Sequence, residues 1–101
     1  MVNRVPVRNV GDGMVCLFVE PLGEDFWMKP GDAFTVTGGP DVADSEFAIN
    51  TMPGYVIVWV HTGDCYTVTV VDENSGQVLP CGHQSPGAAA ARSWPAGENR
   101  R

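Results

Sequence analysis

Residues 55–61, YVIVWVH, and residues 65–72, CYTVTVVD, decide the fold. Both alternate β-branched and aromatic side chains at a period of two, which is the signature of strands. In the first stretch Val56, Val58 and Val60 share one face, and Tyr55, Ile57, Trp59 and His61 share the other. In the second, Tyr66, Val68 and Val70 lie opposite Cys65, Thr67, Thr69 and Val71. If Thr62-Gly63-Asp64 is a hairpin loop, His61 faces Cys65 and the two valine rows become neighbours. Tyr55, Ile57 and Trp59 then sit beside Val71, Thr69 and Thr67. A slip of one residue would mix the faces. If Glu73-Asn74-Ser75-Gly76 is the next loop, Asp72 faces Gln77, and Leu79 and Cys81 join the valine face. The valine face is therefore the expected core, and the Tyr55/Ile57/Trp59 face a second surface with less polarity than water contact requires.

The rest of the chain follows the same period. Residues 4–9 (RVPVRN) put Val5 and Val7 on one side. Residues 14–20 (MVCLFVE) are apolar on both faces, which marks a central strand covered twice. Residues 26–29 (FWMK) form a short strand, 33–37 (AFTVT) turn Phe34 and Val36 inward, and 47–50 and 77–80 are weaker strands. Clusters of Gly, Pro, Asn and Asp separate these segments roughly every ten residues. The expected fold is all-β, an antiparallel β-sandwich of roughly seven or eight short strands. Residues 1–81 make the sandwich, and 82–101 are an irregular Pro/Gly/Ala-rich tail. Pro86 and Pro95 bracket the one helix-prone stretch, 88–91.

Three segments have a familiar cadence: Val7-Arg8-Asn9-Val10-Gly11-Asp12, residues 15–25 through Glu20-Pro21-Leu22-Gly23-Glu24, and Met28-Lys29-Pro30-Gly31-Asp32 with the strand after it. This resembles small uncharacterised bacterial β-sandwich proteins, and the same cadence occurs in immunoglobulin-like and cupredoxin-like sandwiches. The resemblance spans residues 5–37 and rests on turn motifs. It implies a fold and no activity.

Composition narrows the class. The chain has 101 residues, 44% of them apolar and 18% charged, which suits one globular domain and neither a disordered chain nor a coiled coil. No apolar run reaches the roughly 20 residues of a bilayer span. The formal net charge is −6. Arg4 and Arg8 make the first nine residues basic, and Arg92, Arg100 and Arg101 make the tail basic. Between them lie eleven acids and only Lys29. An acidic body repels phosphate backbones and anionic lipid, so neither nucleic acid nor membrane is an expected partner. Three cysteines, an odd number, and an N-terminus without a signal-like apolar core suggest free thiols and a cytoplasmic setting.

Chemistry-bearing residues are sparse. His61, Cys65, Cys81 and His83 are soft ligands, the alternative being a small cupredoxin-like metal protein. Their spacing matches no common zinc signature, and no Met follows His83 to complete a copper loop. A Cys65–His61 nucleophile pair lacks an orienting group and an oxyanion site. Asp72-x-Asn74-x-Gly76 begins like a calcium loop, but it is also what a tight turn wants. Glu24, Asp25 and Asp32, and Asp41, Asp44 and Glu46, read as solvated loop acids. No cofactor and no catalysis are expected. Large aromatics anchor interfaces. The sequence-level candidate is thus an interface of Tyr55, Ile57, Trp59, Thr67, Thr69 and the tail residue Trp94, taking a protein partner or a second copy.

Overall fold

The computed structural model describes residues 4–38, 47–60 and 67–85. Among these residues seven strands form two sheets: β1 (Arg4–Arg8), β2 (Val15–Glu20), β3 (Glu24–Met28), β4 (Ala33–Thr37), β5 (Phe47–Met52), β6 (Tyr55–Val60) and β7 (Thr69–Asp72). One sheet has the order β1-β4-β7 and the other β3-β2-β6-β5. No α-helix occurs among the described residues, and none of these is in a segment long and apolar enough to cross a membrane as a helix. The sheets close on a shared core. Leu17, Val19, Phe26, Met28, Val58 and Val60 come from the four-stranded sheet, and Phe34, Val36 and Val70 from the other, joined by Leu79.

The chain chooses its turns by residue chemistry. Lys29-Pro30-Gly31-Asp32 is closed by the Asp32 amide donating to the Lys29 carbonyl at 2.9 Å, with Gly31 at φ 90°. Proline in the first central position and left-handed glycine in the second is the type II pattern. The Lys29 amide is in turn capped by Asp32 Oδ2 at 2.7 Å. Gly31 donates to the Asn9 carbonyl and Asn9 donates to the Asp32 carbonyl, so two residues of one strand face one of the other. This is a glycine bulge, and it twists the sheet at its start. Pro53-Gly54 makes the two-residue link between β5 and β6, with Met52 opposite Tyr55.

Asn9 is the tie between the layers. It is buried at 4% exposure at the end of β1. Its Nδ2 donates to the carbonyls of Gly13 at 2.8 Å and of Met28, in the other sheet, at 3.0 Å. Its Oδ1 accepts from the Gly11 amide at 3.0 Å. A buried amide side chain is tolerable only when satisfied in this way.

Pro6 lies at the middle of β1, opposite Thr35. Ladder bonds in an antiparallel pair fall on alternate residues. Because Asn9 bonds across to Asp32, Val7 and Val5 hold the inward-bonding positions, and the nitrogen of Pro6 points to the open side. Only there does a missing N–H leave the ladder intact.

Two expectations are corrected. The sandwich is not wholly antiparallel, because β2 and β6 run parallel, Leu17 beside Val56 and Val19 beside Val58. Between them the chain forms β3 in the same sheet and β4 in the other, returns as the edge strand β5, and turns back as β6 beside β2. Nor do β6 and β7 form a hairpin. β6 has β2 on one edge and β5 on the other, which leaves no edge for β7, and β7 pairs with β4. The presumed loop, Thr62-Gly63-Asp64, lies outside the described residues. The facing of each strand was nevertheless right: Val58, Val60 and Val70 are buried. So was the next turn. The Asp72 amide donates to the Gln77 carbonyl at 2.8 Å, and the Leu79 amide to the Val70 carbonyl at 2.8 Å. Residues 77–80 stop at this bridge without becoming a strand. Leu79 joins the core, whereas Cys81 is exposed.

Candidate binding face

Alternation leaves each strand of the four-stranded sheet a row that points away from the core. Register aligns these rows. Cys16, Phe18 and Glu20 of β2 lie beside Tyr55, Ile57 and Trp59 of β6. On the far side of β2, Trp27 is opposite Cys16 and Asp25 opposite Phe18. On the far side of β6 lie Ala48, Asn50 and Met52. The result is an aromatic face rimmed by Glu20 and Asp25, with no basic residue among its described members.

Tyr55 is its centre. Its ring stacks on Phe18 at 5.6 Å and meets Trp27 edge-on at 6.5 Å. Trp27 Nε1 donates to Asp25 Oδ2 at 3.1 Å, which holds the indole while its face packs. Met52 is 50% exposed, Trp59 39% and Tyr55 38%. Cys16, beneath the rings, is fully buried. Burial, and then the nearby Asp25 carboxylate, push its thiol up from 9.0 to about 11, against a smaller opposing pull from the Phe26 backbone. It is thus a neutral thiol near pH 7 and no nucleophile.

The edge beside Trp27 is sealed by the chain after Cys81, which composition had grouped with the tail. Trp27 donates to the His83 carbonyl at 2.8 Å and Gly82 to the Asp25 carbonyl at 2.7 Å. The His83 ring packs edge-on against Phe34 at 5.8 Å, and Cys81 Sγ lies 3.8 Å from Asp25 Oδ1. Of the soft-ligand set, His61 and Cys65 lie outside the described residues, and no metal-like cluster of His, Cys, Asp or Glu converges among the described ones. Cys16 and Cys81 are free. The calcium-like stretch is a turn: Asp72 Oδ1 accepts from the Asn74 amide and Oδ2 from the Ser75 hydroxyl, both at 3.0 Å. Asp41, Asp44 and Glu46 lie outside the described residues.

The interface drawn from sequence is therefore split. Tyr55, Ile57 and Trp59 stand together, but Thr67 and Thr69 belong to the segment that enters the other sheet, and Trp94 lies outside the described residues. Sequence reasoning missed Phe18, Trp27 and Met52 as their neighbours. The one available signal was the apolar run on both faces of 14–20. No family model, curated protein or solved structure matches the chain.

The two described thiols should separate cleanly. In native protein, alkylation is expected to modify Cys81 quickly and Cys16 only as fast as the sheet opens. Cys16 reacting as fast as a free thiol would contradict the burial. Its raised pKa also sets a sign: the folded state holds this proton more tightly, so the stability it contributes is complete below pH 9.0 and drains away as pH rises through about 11.

Proposed function

We propose that the chain is a non-catalytic binding or assembly module that associates through the outer face of the four-stranded sheet, with a protein partner or a second copy. One observation carries this reading. Tyr55, Ile57 and Trp59 form a row on an outer face, joined by Phe18, Trp27 and Met52, where a solvated sheet would alternate to charge. Aromatic residues and methionine are enriched at interfaces, and a few such anchors carry most of the affinity. The free thiols of Cys16 and Cys81 support a reducing compartment, the cytoplasm.

The test is Trp59→Ala with Ile57→Ser, followed by sedimentation and by melting. Association should weaken about thirtyfold or more, the loss typical of an interface anchor, while the melting temperature stays close to that of the parent. Thr69→Ala, on the opposite sheet, should change neither. Unchanged association in the double variant, or collapse of a parent that was monomeric throughout, would remove the reading.

A further inference from the structure

The outer face of the three-stranded sheet has the opposite character. Residues across it align in rows: Arg8, Ala33 and then Glu73, whose amide donates to the Ala33 carbonyl at 2.8 Å, and next Pro6, Thr35 and Val71. Arg4 follows Pro6 two residues along β1, so both guanidinium-bearing side chains rise on the same side, flanking Thr35. They line one groove of about 590 Å³ together with Pro6, Ala33, Thr35 and Glu73. That volume suits a small organic ligand. Neither arginine is in an ion pair among the described residues.

Thr35 supplies the independent observation. It is 3% exposed, lines the groove, and its hydroxyl has no hydrogen-bond partner among the described residues. Buried hydroxyls are nearly always paired, and an orphan one calls for a missing partner. A hydroxyl can donate, and two guanidiniums can only donate. All three groups therefore want the same thing, an acceptor rich in negative charge.

We propose that this groove binds a small oxyanion, a phosphate or carboxylate group held between Arg4 and Arg8 and receiving a hydrogen bond from Thr35. Glu73 stands across β4 from Arg8. It repels a second negative group at that end and fixes the anion toward Arg4. The site lies on the sheet opposite the aromatic face, so it stands or falls separately from the association proposed above.

The experiment is a titration of the full chain with inorganic phosphate and, separately, succinate, at constant ionic strength, followed by backbone amide shifts. Saturable shifts should centre on β1 and β4 and spare β6. Arg4→Gln or Arg8→Gln should weaken binding about tenfold, the cost of a charged hydrogen bond, and Glu73→Gln should tighten it. Thr35→Val should also weaken binding about tenfold, yet melt no lower than the parent without ligand, because it removes an unpaired buried hydroxyl. Thr35→Ser should restore binding. The tighter of the two probes identifies the anion class. Weak, unsaturable shifts spread over the surface with both probes would overturn the proposal. So would a Thr35→Val variant that binds like the parent.

Discussion

Val58→Asp is expected to leave the chain unfolded at neutral pH. Val58 is fully buried on β6, between Val19 of β2 and Ile49 of β5, and it belongs to the core shared by both sheets. No basic group belongs to that core cluster. An aspartate there has its pKa raised by some 3–5 units, to about 7 or above, so at pH 7 the folded state must hold a proton that the unfolded chain has released, at a cost of about 4 kcal/mol. The valine's lost burial adds about 1.5–3 kcal/mol. The sum rivals the whole stability of a small domain, about 5–15 kcal/mol. The sign of the pH response is diagnostic. A folded pKa above the unfolded value means the folded state binds the extra proton, so the variant regains stability as pH falls from the raised value toward about 4. Melting followed by circular dichroism at about pH 7 and about pH 4 measures this. A variant that melts like the parent at neutral pH would place Val58 on the outside.

Asn9→Ala is expected to cost about 3 kcal/mol, three side-chain hydrogen bonds at roughly 1 kcal/mol each. In a domain of this size that lowers the melting temperature by about 12–20 °C. The loss falls on both layers, since one bond reaches Met28 of the four-stranded sheet and one holds the Gly11 amide of the β1–β2 link. Asn9→Asp is the sharper probe. It keeps the acceptor for Gly11 but sets carboxylate oxygen against the Gly13 and Met28 carbonyls, 2.8 and 3.0 Å from the present donor. It should therefore destabilise at least as much as alanine at neutral pH. Thermal melting of both variants decides; an aspartate variant as stable as the parent would mean that the two donated bonds contribute nothing.

The sequence revealed faces far better than neighbours, and the reason is geometric. Period two reports which side chains point inward. Two inward valine rows look the same whether their strands lie side by side or oppose each other across the core. Val58 and Val70 do the latter, so the β6–β7 hairpin looked coherent and was wrong. The hairpin from Asp72 to Gln77 was legible because its closure is written in side chains: Asp72 holds the Asn74 amide and the Ser75 hydroxyl by itself. The Tyr55/Ile57/Trp59 row was legible within its own strand. Phe18 and Trp27 join it only through pairings to β2, which no local pattern encodes. Asn9 read as the last residue of the first strand; its hold on the Gly11 amide, and above all its reach to Met28 across 19 positions, are not visible in that strand's pattern.

The proline in β1 bears on how copies of this chain can meet. A sheet grows when a new strand finds a continuous row of amides and carbonyls along its border. Here three borders are spoiled in three ways. Beside β3 the His83 segment occupies the position, beside β7 the Val78–Leu79 bridge does, and along β1 the Pro6 ring stands where an amide would have to be offered. Among the described residues only β5 keeps an unobstructed border. Among the described residues, growth in both directions, which fibrillar stacking requires, is therefore closed, and the border along β5 is the one on which a partner strand can add.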